Sequence, residues 1–290
     1  MGDFCIVPRS HELNDKAFDD EILPQLSTLL HMRPSLQSQK IVLDLRSIEW
    51  GNPYGALGIT LLRRFLCEQA QGRVEIRLPN KNNKLLSWLT HIGFLNGVSA
   101  KPEPVEGYRF IPITRIAPTK VGGSSTLHEL VVKVQKLLGE DFDYPLIEAS
   151  RFITALSELC NNIYDHSAPN GAPHGYIAMQ AYRDTVKFAV MDLGIGIPNS
   201  LRRKHPIADD RKALAVALLP GVSSQEGRGL GLYRVRSIVE QHRGILNIRS
   251  GRAKVLVTGD SKEIRTYKQP CGFPGTQIGI LLHRERTVES

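Results

Sequence analysis

The sequence predicts an α/β (α+β) protein of two domains, and three observations support this prediction. The chain has 290 residues, enough for two domains that each bury a core. Short runs rich in β-branched and other apolar residues alternate with longer segments of helical periodicity. The segment 98–106, VSAKPEPVE, holds two prolines and few residues that can pack. We therefore place one domain at 1–100 and the second at 107–290.

The composition is typical of a soluble globular protein. Hydrophobic residues make up 41% of the chain and charged residues 23%. No apolar run approaches the roughly 20 residues of a membrane helix, and the first residues lack a basic start followed by an apolar core. The four cysteines are far apart and form no metal-ligand or redox pair, which fits a reducing compartment. We expect a cytoplasmic protein that does not enter a membrane.

The net charge of +8 arises almost entirely in the second domain. Positions 101–290 hold 26 basic and 19 acidic residues, whereas positions 1–100 hold 11 and 10. Such a balance suits a nucleoside triphosphate or an acidic protein partner as well as a nucleic acid. No basic run is interleaved with aromatic residues, so nucleic acid is the least favoured of these partners.

The first domain is predicted to be a small α/β unit. A run rich in β-branched residues and leucine at 40–50, KIVLDLRSIEW, predicts a strand. The next segment, GNPYG at 51–55, predicts a turn, and 56–70 has the periodicity of a helix. A second strand is expected at 73–79 and an amphipathic helix at 83–94.

The second domain begins with a predicted strand and two helices. The first helix is expected to stop at Gly139, and a later amphipathic helix is expected to open with Gly227, Gly229 and Gly231. A last strand is expected to begin at Gly275, and an insertion between Arg252 and Pro274 is expected to form an extra hairpin. The remaining predicted elements are a strand at 108–117, helices at 125–140 and 146–165, and strand-like segments at 175–183 and 185–198.

The helix at 146–165 carries a row of polar residues opposite its apolar stripe. Glu158, Asn162 and His166 follow one another at four-residue steps, and each step turns the side chain only about 40° from the last. Such a row is either a solvated helix face or part of a site. The chain beyond the helix favours a site.

Two further patterns follow this helix. Asp192 ends an apolar strand and is followed by Gly194 and Gly196, so a carboxylate can accept a hydrogen bond where the backbone turns tightly against a flat ligand. The segment Gly227–Gly231, GRGLG, opens an amphipathic helix, and exposed N–H groups at a helix start suit a phosphate chain. A loop precedes this segment instead of a strand, so the dinucleotide fingerprint is not met.

These motifs, together with Gly275 and Thr276 before the last apolar run, resemble the ATP-binding domain shared by histidine kinases, DNA gyrase, the Hsp90 chaperones and the MutL repair proteins (the GHKL class). The resemblance spans about 107–285 and implies a two-layer α/β sandwich with a Bergerat-type site for ATP and Mg²⁺. The row of Glu, Asn and His at four-residue steps is most similar to that of bacterial anti-sigma serine kinases.

The resemblance implies a role for each matched residue. Asp192 would accept the adenine amino group, with Thr276 assisting through water; Asn162 would bind Mg²⁺, and Glu158 would act as the general base. Residues 198–226 would form a mobile lid, in which Arg202, Arg203 and Lys204 either approach the triphosphate or form a solvated charge run. The implied nucleotide-binding residues are Asn162, His166, Asp192, Gly194, Gly196, Gly227, Arg228, Gly229, Leu230, Gly231 and Thr276.

The first domain resembles the STAS domain of anti-sigma antagonists over IVLDLRSIEWGNPYGALGITLL. A phosphoacceptor STAS domain has serine or threonine two residues before the glycine of its turn, where this chain has Pro53. Switching by serine phosphorylation is therefore not expected. Three hypotheses remain: a regulatory kinase or ATPase with a protein partner, a nucleotide-gated dimerisation clamp similar to gyrase or MutL, and a protein that keeps ATP as a structural ligand.

Overall fold

The computed structural model of the chain divides into two compact units, Met1–Glu106 and Gly107–Ser290. Both units combine helices with a β-sheet, so the predicted α/β fold class is confirmed. None of the helices in the described part of the chain combines the length and the hydropathy needed to cross a lipid bilayer. The described residues are 3–32, 40–69, 73–80, 84–94, 109–116, 126–142, 144–166, 175–222 and 230–284.

The first unit is built on a three-stranded parallel sheet with strand order β1-β3-β5. Parallel strands cannot be joined by tight turns, so helical segments connect them. A second pair of strands, β2 and β4, forms a short parallel ladder. In chain order the elements are β1 (Phe4–Ile6), β2 (Glu12–Leu13), a π-helical segment (Ala17–Ile22), α1 (Leu23–Met32), β3 (Ile41–Asp44), β4 (Trp50–Gly51), α2 (Pro53–Gln69), β5 (Val74–Arg77) and α3 (Lys84–His91).

The start of α2 differs from the sequence prediction. The segment predicted as a turn is the beginning of the helix, because Asn52 caps it: its Oδ1 accepts the backbone N–H of Gly55 at 3.0 Å. Pro53 is the first helical residue, a position whose N–H would have no partner within the helix. The strand predicted at 40–50 is also shorter than expected and ends at Asp44.

The second unit is built on a five-stranded antiparallel sheet of order β6-β7-β8-β10-β9. One continuous core joins this sheet to α4, α5 and α8; within it the rings of Phe152 and Phe188 lie with centroids 4.4 Å apart. In chain order the elements are β6 (Phe110–Ile116), α4 (Thr126–Phe142), α5 (Leu146–His166), β7 (Gly175–Ala181), β8 (Thr185–Asp192), α6 (Gly196–Leu201), α7 (Asp210–Ala217), α8 (Gly231–Gln241), β9 (Ile245–Thr258) and β10 (Glu263–His283).

Helix α4 continues past the glycine that was predicted to end it. Gly139 does not have the positive φ of a helix-ending glycine, and a Cβ added there would meet no atom within 4 Å. It is an ordinary position on the helix surface, and the helix runs on to Phe142.

The predicted insertion does form a hairpin, because β9 and β10 pair along most of their length. The hairpin curves back on itself: the N–H of Gly259, after β9, donates to the carbonyl of Gly244, before β9, at 2.8 Å. Its inward side chains Ala253, Val255 and Val257 belong to the core of the unit. The insertion therefore completes the core. Thr276 was predicted at the head of a strand but lies within β10, directly after a register irregularity.

Candidate functional site

Asp192 is the last residue of β8 and is a buried carboxylate with only 8% of its surface exposed. The N–H of Gly194 donates to its Oδ1 at 2.6 Å, and the N–H of Thr276 donates to the same side chain. Burial raises the pKa of Asp192 to about 6, because desolvation disfavours the charged form more than the two N–H groups favour it. At neutral pH it is a desolvated hydrogen-bond acceptor of fixed orientation, and a ligand that donates a hydrogen bond would offset its burial.

Glycine is required beside Asp192 because the backbones approach too closely for a side chain. Gly275 has φ of +76°, and a Cβ there would lie 2.0 Å from the carbonyl oxygen of Asp192. Gly196 also has φ of +76°, and a Cβ there would lie 2.6 Å from Oγ of Ser250. These two glycines bring the turn after β8 and the irregular part of β10 into direct contact.

Ser250 joins the two glycine turns, a role that no local pattern in the sequence indicated. Its hydroxyl donates to the carbonyl of Gly275 at 2.7 Å and accepts the N–H of Ile197 at 3.0 Å. The same Oγ lies 3.2 Å from Oγ1 of Thr276. The contacts connect positions 25 or more residues apart, which local periodicity does not encode. Ser250 thus positions Thr276 relative to Asp192.

A buried arginine fixes the irregular segment of β10. Arg249 is fully buried, and its Nη2 donates to the carbonyl of Cys271 at 2.8 Å. Gln277 accepts from Arg249 at 3.5 Å and donates to the carbonyl of Pro274 at 2.9 Å. These side chains hold the segment that places Gly275 and Thr276. No local pattern in the sequence distinguishes Arg249 from other charged residues of a strand, so the sequence does not predict this structural role.

The polar row of α5 faces the start of α8. Glu158 and Asn162 are on α5, and a Cβ added to Gly231, the first residue of α8, would lie 3.0 Å from Oε2 of Glu158 and 3.8 Å from Nδ2 of Asn162. Across the same contact, Nη1 of Arg234 donates to Oε1 of Glu158 as an ion pair. The structure therefore brings Glu158, Asn162 and Gly231 together and adds Arg234, which the sequence did not single out.

Some predicted site residues lie at or beyond the limits of the described chain. Gly227, Arg228 and Gly229 lie outside the described residues. His166 is the last residue of α5, and its side chain lies outside the described part. Leu230 precedes α8, and its carbonyl accepts the N–H of Arg234 at 2.8 Å.

The segment predicted to be a lid contains two short helices, α6 and α7, in its described part. Nη2 of Arg202 donates to Oδ1 of Asp210 at 2.5 Å and to the carbonyl of Ala208 at 2.7 Å. Asp210 also accepts the N–H of Arg252 at 2.9 Å, which ties α7 to β9. In this conformation Arg202 holds the segment together, through Asp210 and the carbonyl of Ala208.

The side chain of Asn162 offers an oxygen donor of the kind that a hard cation binds. Among the described residues, no three His, Cys, Asp or Glu side chains come together in a group that could hold a metal ion. Mg²⁺ needs no such group, since it takes one or two protein oxygens and completes its shell with phosphates and water. Asn162, whose side-chain amide lies near Gly231 at the start of α8, carries an oxygen that fits that use.

Residues 147–278 match the family model described as histidine kinase-, DNA gyrase B-, and HSP90-like ATPase. The match begins in α5 and ends in β10, so it includes Glu158, Asn162, Asp192 and Thr276. The second unit therefore contains an ATP-binding domain of this GHKL type. A search of curated proteins finds none with significant similarity to the chain.

Proposed function

We propose that the second unit binds Mg-ATP and cleaves its terminal phosphoanhydride, passing the phosphoryl group to water or to a protein partner recognised by the first unit. The observation that carries this proposal is the approach of the α5 row to the start of α8. There, a carboxylate, an amide and the N-terminal turn of an 11-residue helix converge at Gly231. A helix start attracts phosphate, the amide oxygen suits Mg²⁺, and the carboxylate can take a proton.

Adenine recognition is assigned to Asp192. Its carboxylate accepts hydrogen bonds, so it favours a base that carries an amino group and disfavours one that presents a carbonyl oxygen. Because it is already buried, little further desolvation is needed when the base binds. The N–H groups of Gly194 and Thr276 keep the carboxylate in one orientation.

Glu158 is assigned the role of general base. In the reaction, the oxygen of water or of a partner hydroxyl bonds to the γ-phosphorus, and the bond from that phosphorus to the β–γ bridging oxygen breaks, releasing ADP. The proton of the attacking oxygen passes to Glu158. Bound Mg²⁺ would neutralise phosphate charge, and Asn162 would hold it. Oε2 of Glu158 faces Gly231, which directs the carboxylate toward the proposed phosphate site.

The first unit is assigned to partner recognition, on the basis of its STAS-like segment. Asn52 and Pro53 fix the start of α2, and Pro53 occupies the position where phosphoacceptor relatives have a hydroxyl. The resemblance to anti-sigma kinases points to a regulatory protein in the cytoplasm, where ATP is available. The partner would be a protein, and membranes and nucleic acid are not proposed.

The proposal is tested by separating nucleotide binding from turnover. Glu158→Gln should bind Mg-ATP at least as well as the parent and lower phosphate release by ~10²–10⁴-fold, because a general base acts only along the reaction coordinate. Asn162→Ala should weaken Mg-dependent ATP binding, and Asn161→Ala, an exposed neighbour on the same helix, is its matched control. Binding is measured by the rise in melting temperature with ATP concentration. Turnover of Glu158→Gln at the parental rate would refute the catalytic assignment.

A further inference from the structure

Arg234 forms an ion pair with Glu158, the carboxylate to which the proposed function assigns the role of general base. Arg234 lies one turn into α8, and its guanidinium reaches across to α5. The Arg234 side chain is 40% exposed and that of Glu158 is 31% exposed. A pair that is open to water adds little to stability, so an anion of higher charge can displace the carboxylate.

The position of Arg234 on α8 favours an anionic ligand. A cation in the first turn of a helix is disfavoured by the helix dipole unless negative charge lies close by. Glu158 supplies one such charge. The phosphates proposed for the start of α8 would supply more, in a geometry that a guanidinium can bind through two N–H groups.

A second arginine of α8 shows what an ordinary surface pair on this helix looks like. Nε of Arg236 donates to Oε1 of Glu240 at 2.7 Å, within the helix and directed away from its start. Arg234 instead contacts α5, through Glu158. The two arginines differ by two positions, so they provide a matched comparison.

We propose that Arg234 is a sensor of the terminal phosphate that selects ATP over ADP. In the described conformation its guanidinium donates a hydrogen bond to Oε1 of Glu158. When a triphosphate binds, the guanidinium pairs with the γ-phosphate instead, and Oε1 of Glu158 becomes available for proton transfer. ADP has no γ-phosphate and leaves the ion pair in place. The inference rests on the proposed function of the same site, and Arg234 is a positioning and specificity residue within it.

The test compares the affinities of the full-length protein for Mg-ATP and Mg-ADP. Arg234→Met should weaken ATP binding by ~10-fold or more, as expected for loss of a hydrogen bond to a charged group, and leave ADP binding within about twofold. Arg234→Lys should keep part of the preference for ATP, since it keeps the charge and loses the fork. Arg236→Met should behave as the parent in both titrations.

A second measurement tests the competition itself. Glu158→Gln removes the carboxylate that competes for Arg234, so it should tighten ATP binding by up to about fivefold and leave ADP binding unchanged. In the Arg234→Met background the same change should have no effect on ATP affinity. A gain that persists in that background would overturn the inference.

The two proposals fail in different ways. If the parent does not bind Mg-ATP, or if Glu158→Gln turns over at the parental rate, the proposed function itself is wrong. If those results hold but Arg234→Met keeps the parental ratio of ATP to ADP affinity, only the sensor is wrong. Equal losses of ATP and ADP affinity would assign Arg234 a structural role and also overturn the sensor. Urea denaturation of each variant shows whether it is folded.

Discussion

The buried carboxylate of Asp192 is predicted to lower the stability of the protein in the absence of nucleotide. Burial raises its pKa from 3.8 to about 6, so between pH 4 and pH 6 the folded protein holds a proton that the unfolded chain has lost. The free energy of unfolding therefore falls as pH rises through this window and is not lowered further by Asp192 above it. A shift of about two pKa units corresponds to about 3 kcal/mol.

Replacing Asp192 by asparagine removes this titration and keeps the size of the side chain. Asparagine retains one oxygen for the N–H of Gly194, so its absolute stability depends on how it accommodates the second N–H, that of Thr276. This contribution to stability is the same at every pH, so it does not affect the pH dependence. The stability of Asp192→Asn relative to the parent should rise by about 2 kcal/mol between pH 4 and pH 7, because only the parent ionises at this position.

Urea denaturation without nucleotide, followed by far-UV circular dichroism at several pH values, measures this difference. Trp50 and Trp88 are the two tryptophans of the chain and both lie in the first unit, so tryptophan fluorescence follows the unfolding of that unit separately. Asp184→Asn, at an exposed aspartate of the same unit as Asp192, is the matched variant. At pH 7 the Asp192→Asn variant should also lose the stabilisation by ATP. A stability difference that stays flat with pH would refute the burial argument.

Three further predictions concern single positions. Gly275→Ala should lower the free energy of unfolding by more than about 2 kcal/mol, because its Cβ would lie 2.0 Å from Asp192; Gly272→Ala, whose nearest atom would be at 3.6 Å, should be nearly neutral by urea denaturation. Asn52→Ala should cost about 1 kcal/mol through loss of the α2 cap, measured by tryptophan fluorescence. The Cys160 thiol, whose pKa burial raises to about 12, should resist alkylation until the second unit unfolds, as detected by mass spectrometry.

The sequence predicted those parts of the site that depend on local periodicity. Glu158 and Asn162 lie on one face of α5 because four-residue steps align side chains on any helix. The glycines of Gly227–Gly231 and the apolar stripe after them predicted a helix, and α8 begins at the last of these glycines. The predicted start of α2 was wrong because Asn52-Pro53 was interpreted as part of a turn. The same pair fits a helix cap followed by a first helical residue equally well.

The remaining parts of the site depend on contacts between segments that are far apart in the chain. Arg234 and Glu158 are 76 residues apart, and Ser250 contacts a residue 53 positions before it. Nothing in the sequence around Arg234 distinguishes it from Arg236, and only the packing of α8 on α5 assigns them different partners. Such contacts can be identified only when the relative positions of the two helices are known.

The β9–β10 hairpin contacts two parts of the second unit, the Asp192 carboxylate and the carboxyl-terminal end of α8. Its irregular part places the N–H of Thr276 on Asp192, and its tip reaches the end of α8, where the N–H of Gly259 donates to Gly244. Between these points, Asp210 of α7 accepts the N–H of Arg252. A shift of the hairpin would therefore disturb the Asp192 carboxylate, the segment after β8 and the helix that carries Arg234 together. The insertion is thus part of the structure that holds the site, and deleting it would expose core residues such as Val255 and remove the support of Thr276.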